Sequence, residues 1–153
     1  MNNNDIIRSL RYTFDLGDDQ MIKLFKNGGR ETTREEVSNW LKKEEDEDYK
    51  AIYDIDLAAF LNGFIIKHRG KQEGKDPVPE KRLNNNAIFR KIKIALLLKD
   101  EDILEMLDEV DFRFSKHELS AIFRKPTQSQ YRDCKDQVLR YFLRGLQEKY
   151  RGD

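Results

Sequence analysis

Five polar residues recur at one fixed spacing: Asn3, Arg8, Lys43, Tyr49 and Asp54 return 82 positions later as Asn85, Arg90, Lys125, Tyr131 and Asp136. Amide, cation, phenol and carboxylate groups held in duplicate would do one of two things. Paired inside each copy they would brace a scaffold, with an Arg8–Asp54 ion pair tying the start of a copy to its end. Converging between copies, they would line a symmetric polar cleft able to meet a partner.

Other chemistry-bearing residues are sparse. One cysteine, Cys134, excludes an internal disulfide, and with only His68 and His117 beside it there is no Cys/His zinc set. At the 82-residue offset Cys134 falls on Ile52, the counterpart of a small buried hydrophobe rather than of a reactive thiol. The histidines fall on Tyr150 and Glu35, which marks them as surface helix positions. There is no Gly-rich phosphate loop. Asn27-Gly28-Gly29 reads as a plain turn, and its counterpart is Glu109-Val110-Asp111. The acidic run Glu44–Asp48 lacks the turn glycine of a calcium loop, and its counterpart Pro126–Gln130 has no carboxylate. It reads as a solvated loop or a docking strip for a basic partner. These residues predict a non-enzymatic protein without cofactor or metal.

The elements that must position them follow from the same repeat. Residues 2–71 align with 84–153 without a gap, leaving 72–83, with Pro77 and Pro79, as a linker. Each copy reads as four helices. The first runs from about Asn4 to Leu16 on Ile6, Leu10 and Phe14, and its counterpart from about Asn86 to Leu98. Asp18 and Asp100 read as N-caps of the second. Thr33-Arg34-Glu35-Glu36 and Ser115-Lys116-His117-Glu118 are capping boxes that open the third. The fourth starts near Asp54 and Asp136 and ends at Gly70 and Gly152, glycines suited to a left-handed C-cap. Gly63 and Gly145 sit mid-helix, where glycine costs ~1 kcal/mol, so each predicts close approach of a neighbouring helix backbone. No strand alternation of useful length occurs, and the fold class is all-α, with the copies packed about a pseudo-twofold axis.

Several stretches together resemble a known family. Asn3-Asn4-Asp5-Ile6-Ile7-Arg8-Ser9-Leu10-Arg11-Tyr12, Trp40-Leu41-Lys42-Lys43-Glu44, Phe60-Leu61-Asn62-Gly63 and Leu139-Arg140-Tyr141-Phe142-Leu143-Arg144-Gly145-Leu146 are similar to the YehS-like proteins of bacteria. So are Arg69-Gly70-Lys71 and Asn84-Asn85-Asn86. The similarity covers nearly the whole chain. It implies a cytoplasmic group of unknown function built from two copies of one small domain, and carries no catalytic residue.

Charge narrows the partner. Lys plus Arg equals Asp plus Glu at 29 each, so no net field steers the chain to nucleic acid or membrane. The polarity is internal: residues 1–76 carry 13 basic and 16 acidic side chains, a net −3, and residues 77–153 a net +3. No apolar run nears the ~18 residues of a membrane span. A soluble, cytoplasmic setting and a protein partner are the expectation.

The alternative is a helix-turn-helix-like DNA or RNA binder. Its third helices would present Arg34, Ser38, Asn39, Lys42 and Lys43 in one copy, and Lys116, His117, Ser120, Arg124 and Lys125 in the other. The turn Lys26–Thr32 exceeds the usual 3–4 residues, and Glu44–Asp48 would repel phosphate directly after the reading helix.

Overall fold

A computed structural model describes residues 1–153, and all of its regular structure is helical. The first copy contains α1 (Asn3–Thr13), α2 (Asp18–Asn27), α3 (Arg34–Leu41) and α4 (Asp54–Arg69). The second contains α5 (Asn85–Leu96), α6 (Asp100–Glu109), α7 (Lys116–Ile122) and α8 (Asp136–Tyr150). Residues 82 apart are mates, one in each copy.

Local chemistry explains most of the ends. The capping boxes form as expected: the Glu36 N–H donates to Thr33 Oγ1 at 3.1 Å and the Thr33 N–H to Glu36 Oε1 at 3.1 Å. Ser115 and Glu118 repeat the exchange at 3.0 Å in both directions. Gly70 and Gly152 follow the fourth helices with φ of 83° and 88°. Asp18 and Asp100, however, are the first helical residues and not the caps. Gly17 and Lys99 hold the cap positions, and their N–H groups donate to Gln20 Oε1 and Asp102 Oδ2 at 2.8 Å each.

The first helices also stop early, three residues short of Leu16 and two short of Leu98. Asp15 and Leu97, mates of each other, take left-handed φ of 51° and 55°. The Leu16 N–H then reaches back to Arg11 O at 3.0 Å and the Leu98 N–H to Lys93 O at 3.1 Å. That reversal drops Leu16 and Leu98 into the core, which a straight helix would not do.

Both copies share one hydrophobic core of 30 buried residues. Across the copies α4 packs on α5 and α1 on α8, helix pairs that are mates. Matched bonds follow: Arg69 Nη1 donates to Ile94 O at 3.1 Å, and its mate Arg151 to Tyr12 O at 2.5 Å. The Leu83 N–H donates to Asp54 Oδ2 at 2.9 Å, while the Met1 nitrogen lies 3.5 Å from Asp136 Oδ2. The arrangement is a pseudo-twofold pair of four-helix units.

Candidate interaction surface

The matched polar residues are mostly consumed by the scaffold. Asn3 Nδ2 donates to Ile52 O at 3.2 Å and to Asp54 Oδ1 at 2.7 Å. Asn85 does the same to Cys134 O at 3.0 Å and Asp136 Oδ1 at 2.7 Å. The Asn85 bond, helped by the Met1 nitrogen and Arg140, holds the Asp136 carboxyl below the usual carboxylate range. Arg8 does not pair with Asp54, whose oxygens already accept from Asn3 and Leu83. Instead Arg8 donates to Asp5 at 2.5 Å and to Lys42 O at 2.8 Å, just past the end of α3. Arg90 donates to Phe123 O past α7. Both arginines therefore serve orphan carbonyls, where cations suit the helix dipole.

Lys43 and Lys125 open a double turn that Tyr49 and Tyr131 close. The Asp46 N–H donates to Lys43 O at 3.0 Å and the Tyr49 N–H to Asp46 O at 3.1 Å, and Gln128 and Tyr131 repeat this at 2.9 and 3.1 Å. Lys43 and Lys125 point to solvent on the rim of each copy. The asparagines, arginines and aspartates thus brace the scaffold, the two lysines face solvent, and the symmetric polar cleft is not assembled.

Sequence reasoning passed over the most buried of the matched polar residues. Asn4 is 2 % exposed and Asn86 8 %. Asn4 Nδ2 donates to Trp40 O at 2.9 Å and Lys50 O at 2.8 Å, while its Oδ1 accepts the Ile52 N–H at 3.1 Å. Asn86 clips Ile122 O, Arg132 O and the Cys134 N–H, each at 2.9 Å. The signal was present in the threefold Asn match, since a capping role needs only the first of the three. Asn2 and Asn84 supply that cap.

Cys134 is withdrawn from chemistry, while His68 stays exposed on α4 as the sequence predicts. Burial, with Asp136 nearby, pushes the Cys134 thiol up to about 12, so it stays protonated. The His68 ring packs edge-on to Phe64 at 4.5 Å and on Phe14 at 6.2 Å, and burial together with Lys67 lowers its pKa.

The helix-turn-helix candidates do not gather on one helix. Arg34 is taken by Asp19 at 2.6 Å and Asp18 at 3.4 Å. Lys42, Lys43, Arg124 and Lys125 lie beyond the ends of α3 and α7, leaving only Lys116, His117 and Ser120 on α7. Arg124 lines a pocket together with Arg90 and Tyr131.

Open surface remains where the copies have diverged. A cleft between the third helix and the start of the fourth occurs in both, with volumes of about 400 Å³ and 370 Å³. In the first copy Arg30 fills its side, bonded to Glu36 at 2.8 Å and Asp56 at 3.0 Å, its guanidinium 5.4 Å from the Trp40 ring centre. Tyr53, 73 % exposed, stands at the mouth. In the second, Phe112 replaces Arg30 and Val138 replaces Asp56. Phe112 stacks on Tyr141 at 4.6 Å and lies 5.8 Å from the Phe114 ring. A groove of about 650 Å³ lies between α1 and α8, lined by Ser9, Arg140 and Arg144 among others. The Arg144 guanidinium also lies 5.4 Å from the Tyr141 ring. Cations and aromatic rings thus line the outer face of α8, where α4 carries Ala58, Ala59 and Asn62.

The fold and its surfaces define an all-α chain of two like units with a braced interior and divergent outer faces. Residues 3–70 and again 85–152 match the family described as "Protein of unknown function (DUF1456)", and the chain belongs to that family. It is 44% identical over 147 residues to "Uncharacterized protein YehS" of Escherichia coli (strain K12), covering 95% of this chain and 94% of that one. No solved structure matches it. None of its helices is long and apolar enough to cross a membrane.

Proposed function

We propose that this chain is a non-enzymatic, cytoplasmic interaction protein whose partner is another protein, met through the second copy. One observation carries the reading: polar residues common to both copies brace the interior, whereas the outer face of α8 has exchanged Ala58, Ala59 and Asn62 for Arg140, Tyr141 and Arg144. Arginine and tyrosine are the residue types enriched where proteins anchor one another. The absence of catalysis in this reading is supported by a thiol held protonated and a histidine packed against rings, neither lining the open clefts.

Affinity purification from the native cytoplasm, with and without nuclease, tests it. A protein partner retained after nuclease treatment is the expected result. Capture of nucleic acid alone, with binding that falls steeply as salt rises, would replace this reading by the helix-turn-helix one.

A further inference from the structure

Two ion pairs of the first copy have no counterpart in the second. Arg8 meets the Asp5 carboxylate at 2.5 Å. Lys42 donates to Asn39 Oδ1 at 3.0 Å, with the Asp48 carboxylate 3.7 Å away. The mates of the two cations are Arg90 and Arg124, so both positive charges are kept. The mates of Asp5, Asn39 and Asp48 are Ala87, Ala121 and Gln130, so both carboxylates are lost. Asp5 also completes the capping box of α1 by accepting the Asn2 N–H at 3.0 Å, a bond that Ala87 cannot make for α5. The consequence is plainest at Arg124, whose Nε is buried and has no hydrogen-bond partner. An N–H buried without an acceptor is costly, and on a guanidinium the acceptor that best removes the cost is an oxyanion.

Both arginines line one pocket of about 370 Å³, between α5 and the turn that follows α7. Ile65, Ile94 and Pro126 give it an apolar wall. Other polar groups in the pocket are already engaged. Lys91 Nζ lies 2.8 Å from the Glu80 carboxylate and donates to Asn62 Oδ1 at 2.7 Å, so that pair is neutral. The Tyr131 hydroxyl donates to Asp133 at 2.9 Å, which leaves its ring to the pocket. Arg90 gives one Nη to Phe123 O and keeps the rest of its fork. Two positive charges on forked donors therefore remain beside an apolar wall. Even the loop over them has changed: Pro126 is the mate of Glu44, in the acidic run of the first copy.

We infer that this pocket binds a small dianion, its oxyanion groups taking the places that the Asp5 and Asp48 carboxylates hold in the first copy. Carboxylate and phosphate oxygens both match the planar fork of a guanidinium. The ligand is accordingly a short dicarboxylate or a phosphate monoester, with its carbon body against Ile65, Ile94 and Pro126. The volume is within the range of small-molecule sites, roughly 300–1,000 Å³. The pocket shares no lining residue with the outer face of α8, so it stands whether or not a protein docks there.

Glutarate and phenyl phosphate are the probes, each titrated into the intact protein by calorimetry and by amide shifts. Saturable binding of at least one is expected, with the largest shifts at Arg90, Arg124 and Tyr131. The tighter of the two tells whether carboxylate or phosphate is the group the site selects. Ala87→Asp with Gln130→Asp restores the partners of the first copy and should weaken binding roughly tenfold or more. The fold should survive it, because Asp at the third position of α5 completes a capping box with Asn84. Arg124→Gln should weaken binding likewise, whereas Lys42→Gln, at the mate, should leave the affinity unchanged; melting of each variant is checked alongside. Failure of both probes to bind saturably, binding that survives the paired Asp substitutions, or equal losses at Arg124 and Lys42 would each overturn the inference. So would displacement of the probe by single-stranded RNA with a steep salt dependence, which would give these arginines to nucleic acid.

Discussion

The two copies place the same pair of helices at different closeness. In the first, the last turn of α2 lies directly on α4. A Cβ on Gly28 would fall 1.6 Å from Ala59 O, and one on Gly63 would fall 1.8 Å from Leu24 O. In the second, the mate of Gly28 is Val110 and the mate of Ala59 is Tyr141, and both carry bulk where the first copy has none. A Cβ on Gly145 would accordingly stand 3.1 Å from Met106 O. Standing α6 off α8 frees Tyr141 to stack on Phe112, and the aromatic surface of the second copy follows from that separation. One fold thus tolerates two interhelical spacings, and the looser one exposes the residues that differ.

Four measurements sharpen or break this contrast. Gly63→Ala drives a methyl group into a backbone carbonyl and should cost roughly 3 kcal/mol or more in urea denaturation. Gly145→Ala places its methyl in a tight contact, 3.1 Å from Met106 O, and should change stability by no more than about 1 kcal/mol, since the gain in helix propensity offsets a shift of a few tenths of an ångström. Equal losses at the two positions would contradict the difference in spacing.

The asparagine clips should behave alike in both copies. Asn4→Ala and Asn86→Ala each leave two carbonyls and one N–H without a partner, a loss of about 2–3 kcal/mol. An effect confined to one copy would show that the shared scaffold is not shared in energy.

The third contrast is Cys134 against its mate Ile52. An unfolded thiol ionises near 9, whereas the folded one holds its proton up to about 12. The unfolded state loses the proton first, so stability falls as pH rises from 9 toward 12, and Cys134→Val should flatten that part of the curve. At pH 8 a thiol reagent should label Cys134 only at the rate of unfolding.

The smallest effect concerns the left-handed residues. Leu97 holds φ of 55° with a branched side chain, whereas its mate Asp15 is of a type that tolerates the region. Leu97→Asn should stabilise by about 0.5–1 kcal/mol, raising Tm by a few degrees, while Asp15→Asn should do almost nothing.

What was legible without coordinates was local or periodic. Thr33 with Glu36, Ser115 with Glu118, and the glycines after Arg69 and Arg151 announce helix ends because each acts within four residues of itself. The groups misread or passed over act at a distance. Gly28 reads as a turn residue because Ala59 is thirty-one positions away, and nothing near Gly28 says that a helix backbone presses on it. Arg8 and Asp54 match in charge, yet Asp54 was already held by Asn3 and Leu83, a competition that shows only when all four are placed.

The sequence alone determined eight helices, the capping boxes of α3 and α7, the doubling and the all-α class, since backbone propensity and hydrophobic period are properties of short stretches. Tertiary structure decided which matched polar groups became braces and how near α2 and α6 stand to their partner helices. Those outcomes depend on distances between residues 30 to 140 positions apart, which side-chain volume and the pseudo-twofold axis set jointly.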